Sequence, residues 1–172
     1  KLPLLTYYEK DAGPYITAGI VIGKDIHSGV MNSSFHRMLL FDENHLVVRI
    51  VPRHLYRMYN LAKREGRDLD VAVVIGASPL FYLASASSPP YGVFELEIAN
   101  SLANGGIRAF EIEENGLLVP SDVEILLLGR LLKDKEAYEG PFVDITGTYD
   151  IVRKQPVLEV DDIMLRESCI YY

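Results

Sequence analysis

The densest run of polar side chains within otherwise ordered sequence is the segment 31–38, MNSSFHRM. Asn32 offers an amide oxygen, and Ser33 and Ser34 offer hydroxyls. Arg37 adds a forked cation that suits a carboxylate or a phosphate. The segment lies where a loop is predicted to become a strand, a usual place for ligand contacts on a rigid scaffold. These residues indicate an anion-binding site, and an asparagine turn followed by a surface arginine is the alternative.

Two carboxylates flank a Gly-Pro turn in the segment EGPFVDITG. Glu139 and Asp144 are five residues apart, and a turn of this kind lets them converge on one space. If two acids approach each other or enter a dry pocket, one of them keeps its proton near neutral pH and can deliver it. An acidic loop in which Asp144 caps its own turn is the alternative.

The remaining candidates are weaker. Glu95 follows a Pro-Pro break near the start of a predicted helix, where the helix dipole alone favours an acidic side chain. Cys169 is the only cysteine, so it leaves no internal disulfide. No phosphate-binding glycine loop and no nucleophile elbow occur. The histidines show no paired metal-ligand spacing; they are His27, His36, His45 and His54. The residues alone therefore predict an anion-binding pocket with acid–base chemistry and nothing more specific.

Length and composition limit the class of protein that carries these side chains. The 172 residues, 49% apolar and 24% charged, fit one globular domain. A net charge of −7 argues against general nucleic-acid binding. No apolar run reaches the roughly 18–20 residues of a membrane span, and no signal-peptide pattern occurs, so a cytoplasmic protein is expected. One local basic set suits a small anionic ligand: Arg49, Arg53, His54 and Arg57.

Strands are predicted at both ends of the chain and helices in the middle. The strand candidates are 15–22, 34–41, 45–51, 71–75, 107–112, 123–132 and 156–165. The helix candidates are 55–63 with Gly66 as its C-terminal cap, one opened by Ser78-Pro79, and 93–104. This order indicates an α+β domain, with a barrel-like sheet and helices packed at one side.

Five stretches of the chain resemble the UbiD family of prenylated-flavin-dependent decarboxylases, in the family's order and spacing over nearly the whole sequence. They are LPLLTYYEKDAGPYITAGIVIGKD, MNSSFHRM, VAVVIGASPLFYLASASSPP, LLVPSDVEILLLG and EGPFVDITGTYD. The motifs GPYITAG and EGP-x-x-D-x-TG are specific. The resemblance implies a split β-barrel of the flavin-reductase type with added helices. It also implies a non-oxidative carboxy-lyase that uses prenylated FMN on an α,β-unsaturated or aromatic acid.

The resemblance assigns roles to residues already singled out. It implies that Arg37 orients the substrate carboxylate and that Glu139 and Asp144 are its acidic partners, one of them the proton donor. Further residues are implied to line the flavin: Asn32, Ser34, Phe35, His36, Arg37, Arg49, Arg53 and His54.

The resemblance also implies a divalent cation, manganese or magnesium, between the protein and the flavin phosphate, with potassium as a further candidate ion. Asn32 and Glu95 match two of its ligands. The third position, a histidine in many relatives, falls at Arg53, which has no lone pair to give. Either the neighbouring His54 replaces that ligand, or Arg53 binds the flavin phosphate or an anionic substrate directly.

Full-length relatives are much longer, so residues 1–172 are expected to be one central domain of a protein with further N-terminal and C-terminal parts. That protein is expected to form a homo-oligomer and to obtain its cofactor from a flavin prenyltransferase. Its substrate is expected to be a polyprenyl-hydroxybenzoate in ubiquinone synthesis or an anhydromevalonate phosphate in isoprenoid synthesis. Two alternatives remain open: a non-catalytic flavin-binding or assembly domain, and an FMN redox protein of the flavin-reductase type.

Overall fold

The computed structural model describes residues 2–171. Its strands are β1 Tyr15–Ile16, β2 Ile20–Lys24, β3 Met31–Phe35, β4 Met38–Leu40, β5 His45–Val48, β6 Leu69–Ile75, β7 Ala109–Glu111, β8 Leu118–Pro120, β9 Ile125–Glu139, β10 Phe142–Val143, β11 Tyr149–Asp150 and β12 Arg153–Leu165. Its helices are α1 His54–Arg64, α2 Pro79–Ala86 and α3 Glu95–Leu102. Within the described residues, no helix has both the length and the apolar character that crossing a bilayer requires.

One antiparallel sheet of eight strands forms the centre, in the order β1-β4-β5-β12-β9-β6-β2-β3. The pairs β7–β8 and β10–β11 form two small sheets of their own. Two adjacent segments that interrupt the strands, called breaks below, explain how the sheet curves into a half-barrel. Segments 17–19 and 36–37 separate β1 from β2 and β3 from β4, so the chain passes there from one edge of the sheet to the other. The His36 N–H donates to the Gly19 carbonyl at 3.2 Å and ties the two breaks together.

Both faces of the sheet are covered, and β6 shows why. Val71, Val73 and Ile75 point to the cluster that contains α1, whereas Ala72 and Val74 point to the cluster beneath α2 and α3. A strand buried on both faces must be apolar at every position, so the prediction from its five-residue apolar run is confirmed. The predicted helix ends are confirmed as well. Gly66 follows α1 with a φ of 69°, and the Ser78 side chain accepts a hydrogen bond from the Leu80 N–H.

The hairpin β9–β12 is longer than its sequence predicts. Its two strands pair from Ile125–Leu165 out to Glu139–Arg153, with irregular register near Pro156 and Val160. Beyond Leu131, odd-numbered positions of β9 face inward and even-numbered ones face solvent. This outer arm was not expected, because its run of charged residues, 133–136, is typical of a turn. In the arm, Asp134 and Glu136 take the exposed positions of a regular alternation, and Lys133 and Lys135 take the half-buried ones.

Three other predictions of elements were inaccurate. The strand candidates 15–22 and 34–41 are each split by the breaks described above. The third helix is shorter than 93–104, because the backbone of Asn104 takes a positive φ of 52° that ends it. The strands β8, β10 and β11 were not predicted, since each is too short to carry a pattern.

Candidate active site

A groove of about 770 Å³ runs between β3, the start of α1 and the segment that follows α2. Its walls contain seven of the residues that the sequence singled out: Asn32, Ser34, Phe35, His36, Arg53, His54 and Glu95. The opposite wall is formed by Ser85, Ser87 and Ser88. Sequence reasoning treated the last two only as a helix break, and nothing in their spacing indicates a binding wall.

Alternate residues of β3 and its continuation carry a line of hydrogen bonds along the groove. Ser34 Oγ lies 3.2 Å from Asn32 Oδ1 and 2.9 Å from His36 Nε2. His36 Nδ1 lies 2.8 Å from the Arg49 carbonyl oxygen, so this nitrogen carries the proton. Burial lowers the pKa of His36, which keeps the ring neutral and leaves Nε2 as an acceptor. Ser34 therefore directs its single proton to His36.

Glu95 is a buried carboxylate at the other end of this line, only 1% exposed. Its two oxygens lie 2.7 Å from Asn32 Nδ2 and 2.7 Å from the Ser33 N–H. Burial raises the pKa of Glu95, and these hydrogen bonds oppose the shift only in part. A carboxylate without a bonded cation in such a place is costly, so the site favours either a proton or a positive ion.

Asn32 and Glu95 carry the oxygens that a cation at this point would need. In the structure Asn32 Nδ2 donates to Glu95 Oε1, and Asn32 Oδ1 faces Ser34 Oγ at 3.2 Å. Turning the Asn32 amide over would direct its oxygen towards Glu95. An amide oxygen with a carboxylate oxygen is the donor set that manganese and magnesium prefer. The residues present therefore fit a divalent cation held by Asn32 and Glu95.

The structure separates the two candidates for the third metal ligand. Arg53 Nη1 donates to Ser88 Oγ at 2.8 Å and so bridges the two walls of the groove. The His54 ring stands edge-on to the Tyr91 ring, with the centroids 5.3 Å apart. Within residues 2–171, neither side chain hydrogen-bonds to Glu95. His54 nonetheless lines the groove, and its charge lowers the pKa of Glu95 slightly.

An ion-pair cluster is centred on Arg37, the residue that follows His36 of the groove in sequence. Arg37 Nε donates to Glu139 Oε1 at 2.8 Å, and Arg37 Nη2 donates to Glu139 Oε2 at 3.0 Å. Glu139 is fully buried and also accepts from the Tyr15 hydroxyl at 3.2 Å. Burial and the Glu139 charge both raise the pKa of Tyr15. Burial alone would lower the pKa of Arg37, but its bonds to Glu139 raise it, so the guanidinium stays charged.

Asp150 completes the cluster and was missed by sequence reasoning. Its Oδ2 accepts from Arg37 Nη2 at 2.9 Å, and its Oδ1 accepts from Arg153 Nη2 at 2.9 Å. Arg49 Nε lies 3.6 Å from Asp150 and 4.0 Å from Glu139. Burial raises the pKa of Asp150, but hydrogen bonds from Arg37 and from the Ile151 N–H lower it below the ordinary value. Asp150 ends the stretch EGPFVDITGTYD, but the specific motif EGP-x-x-D-x-TG stops before it.

Asp144 does not join the cluster, although it was expected to converge with Glu139. It is exposed, at the turn between β10 and β11, where its Oδ1 accepts from the Ile145 N–H at 2.6 Å. Its own N–H donates to the Thr148 carbonyl at 2.8 Å, so the turn closes on itself. The neighbour of Arg37 on this hairpin is Asp150 instead. Of the predicted residues, the structure therefore brings Arg37, Glu139 and Arg49 into one cluster and leaves Asp144 outside it.

Known proteins resemble the chain over its whole length. Residues 1–172 match the family described as UbiD, the 3-octaprenyl-4-hydroxybenzoate carboxy-lyase Rift-related domain. The anhydromevalonate phosphate decarboxylase of Methanothermobacter thermautotrophicus is 42% identical over 172 residues, which are 100% of this chain and 40% of that protein. The chain thus spans about 40% of the length of this curated relative.

Solved structures share the fold. An evolved dimeric form of the UbiD-class enzyme HmfF from Pelotomaculum thermopropionicum, in complex with prFMN, matches with a TM-score of 0.95 and 38% identity, covering 99% of this chain and 40% of that one. A flavin reductase-like protein with a split barrel domain from Shewanella frigidimarina matches with a TM-score of 0.58 and 9% identity, over 90% of this chain and 69% of that one. The second likeness concerns the fold alone and confirms the predicted split barrel. With a family match from the first residue to the last, the chain belongs to the UbiD family.

Proposed function

We propose that the protein containing this chain is a carboxy-lyase that uses prenylated FMN, and that residues 1–172 form its central flavin-binding domain. The observation that carries the proposal is the buried Arg37–Glu139 pair placed directly after a groove whose walls match the expected flavin contacts. A domain that only binds flavin has no use for a buried guanidinium held by an acid. The relatives' names, anhydromevalonate phosphate decarboxylase and UbiD-class enzyme, support the same activity.

The groove residues are proposed to hold the cofactor and its cation. When bound, prenylated FMN supplies the reactive ring that activates the substrate's double bond for loss of carbon dioxide. Ser34, Phe35 and His36 would lie along the flavin, and Arg53 would bind either the flavin phosphate or a phosphate of the substrate. Asn32 and Glu95 would hold manganese or magnesium, and potassium is proposed as a further ion near the flavin phosphate. His54 is the proposed third ligand if a local shift brings its ring to Glu95.

Arg37 and the two acids divide the work on the substrate. Arg37 Nη1 is free of protein partners within the described residues and is proposed to bind the substrate carboxylate. When the bond to carbon dioxide breaks, its electron pair stays on carbon and must take a proton. Both oxygens of Glu139 already accept hydrogen bonds from Arg37, so we assign the proton to Asp144, brought in by movement of its turn. Solvent then restores the proton to Asp144.

The substrate is proposed to be an anhydromevalonate phosphate. Arg53 and His54 line the groove, whereas Arg57 stacks on the Tyr91 ring at 4.1 Å and Arg49 belongs to the cluster. The basic set therefore does not act as one patch, and Arg53 carries the hypothesis. A polyprenyl-hydroxybenzoate of ubiquinone synthesis is the second candidate and has no phosphate for Arg53 to bind.

Replacing Arg53 by Ala in the full-length enzyme tests this substrate. We expect the KM for the phosphorylated acid to rise, while the matched variant Arg57→Ala leaves it unchanged, because Arg57 points outside the groove. An unchanged KM in Arg53→Ala would exclude a phosphate contact at this residue. The protein is further proposed to be a cytoplasmic homo-oligomer that receives its cofactor from a flavin prenyltransferase.

The activity itself is tested by co-expressing the full-length protein with a flavin prenyltransferase. The purified protein is examined for its absorbance spectrum and for carbon dioxide release from a panel of unsaturated and aromatic acids. We expect a modified flavin and release from at least one acid. Unmodified FMN with reductase activity would support a redox protein, and modified flavin without turnover would support a binding or assembly domain.

A further inference from the structure

The Arg37 guanidinium presents two forks to carboxylates. The side fork, Nε with Nη2, is filled by Glu139 at 2.8 and 3.0 Å. The end fork consists of Nη1 and the second N–H of Nη2. Asp150 Oδ2 takes that second N–H at 2.9 Å, so half of the end fork is closed. A carboxylate that approaches Arg37 finds one free nitrogen, Nη1, instead of a matched pair.

Several contacts hold Asp150 in this place. Its other oxygen, Oδ1, accepts from Arg153 Nη2 and from the Ile151 N–H, at 2.9 and 2.8 Å. Asp150 also pairs with Phe142 in the register of β10 and β11, and the Phe142 ring lies 4.9 Å from the centre of the Arg37 guanidinium. Asp150 is therefore anchored from a side that does not involve Arg37. Such anchoring is needed if the acid is to compete with a ligand for Nη2.

We propose that Asp150 is a positioning residue that restricts Arg37 to a one-nitrogen contact with the substrate carboxylate. This inference rests on the proposed decarboxylase function. A two-nitrogen grip would stabilise the charged carboxylate of the bound substrate more strongly than the transition state, in which that charge is leaving with carbon dioxide. Closing half of the fork thus keeps the substrate oriented without lowering the energy of its ground state too far.

The test uses the full-length protein with Asp150→Ala and Asp150→Asn. Both variants remove the same charge from a cluster of three guanidinium groups and two carboxylates. Only alanine opens the end fork, because asparagine keeps an oxygen that can accept from Nη2. Asp161→Ala is the matched control, since Asp161 accepts from Arg130 at 2.9 and 3.0 Å on an exposed part of the β9–β12 hairpin.

Two measurements are made on each protein. The affinity for isovalerate, a saturated acid that cannot be decarboxylated, is measured by NMR titration of the flavin-free protein. The kcat and KM are measured on the loaded enzyme. For Asp150→Ala we expect isovalerate to bind roughly tenfold more tightly, as expected for one added charge-assisted hydrogen bond. We also expect KM and kcat to fall together, the sign of a ground state that has become too stable.

The outcomes separate this inference from the proposed function. Asp150→Asn and the control should bind isovalerate nearly as the unaltered protein does. Equal tightening in the alanine and asparagine variants would show a charge effect and overturn the fork. Unchanged affinity in Asp150→Ala, or no measurable binding to any of the proteins, overturns it too. An unaltered enzyme that releases no carbon dioxide from any acid refutes the proposed function, while the isovalerate titration still decides the role of Asp150.

Discussion

Arg37 and Glu139 are 102 residues apart in sequence, yet they meet through two parallel hydrogen bonds in the interior of the protein. Glu139 has no solvent exposure, and the Arg37 side chain has 16%. Planar pairing of this kind matches a guanidinium and not an ammonium, because only the fork offers two donors in one plane. The pair therefore fixes both the charge and the orientation of the arginine.

Replacing Arg37 by Lys should lower kcat/KM by roughly 100-fold, since lysine cannot reproduce the fork that positions the substrate contact. It should also destabilise the protein, but by less than the about 3–5 kcal/mol that removal of one partner of a buried ion pair costs, because lysine keeps the charge. The readouts are steady-state kinetics and urea unfolding. Arg130→Lys is the control, because Arg130 makes the same two-bond contact with Asp161 in an exposed place. Equal losses in both variants would contradict the special role of Arg37.

Asp144→Asn should abolish carbon dioxide release and leave the melting temperature nearly unchanged. Asparagine cannot deliver a proton, and the exposed side chain makes its hydrogen bond only within its own turn. Asp162→Asn is a matched control, because Asp162 is exposed and likewise accepts from the N–H of the next residue, Ile163. If Asp144→Asn retains turnover, the proton must come from another acid, with Glu139 the next to test.

Manganese should raise the melting temperature of the unaltered protein but not that of Glu95→Gln. A cation that binds only the folded state raises the unfolding free energy by an amount that grows with its affinity. In Glu95→Gln, glutamine lacks the charge that attracts the cation. Protons compete for the same carboxylate. Because burial raises the pKa of Glu95 above its ordinary 4.5, the stabilisation by manganese should grow as pH rises through that raised pKa. Glu97→Gln, an exposed change in the same helical turn, should behave like the unaltered protein.

The stability of the protein should fall as pH drops below about 6.5, through His36. Burial lowers the pKa of the folded His36, so at these pH values the unfolded chain takes up a proton that the folded protein does not. The unfolding free energy then decreases by up to about 1.4 kcal/mol per pH unit until the lowered pKa is reached. Urea unfolding across the pH range measures this slope. His36→Asn should remove it, whereas His27→Gln, at an exposed ion pair, should retain it.

Local patterns in the sequence were sufficient to predict the elements that build the core. The apolar run of β6 and the residues that end α1 and begin α2 gave correct elements, because packing and capping act over a few neighbouring residues. The outer arm of β9 was not predictable in this way. Its charged residues favour a turn when read alone, and only the pairing with β12 makes them part of a strand.

The residues of the site likewise divide into those that a local pattern predicted and those that only the fold brings together. Asn32 and Ser34 lie on β3 and His36 directly follows it, and the dense polar run 31–38 pointed to a ligand-binding segment. The meeting of Arg37 with Glu139 joins residues far apart in the chain, and it was expected only through the resemblance to the family. Asp150 ends one of the stretches that carry the resemblance, but no role was assigned to it. Its position depends on the pairing of β10 with β11, which two short strands do not reveal in sequence.

The alternation along the outer arm of β9 has a consequence for how this family can vary. Between Leu131 and Glu139 every second side chain faces inward, so the side to which Glu139 points depends on whether the number of intervening residues is odd or even. Inserting one residue there would turn the acid to solvent and bring Tyr138 to its place beside Arg37, and deleting one would bring Gly140 there. The face to which Glu139 points is thus reversed by a change of one residue and kept by a change of two.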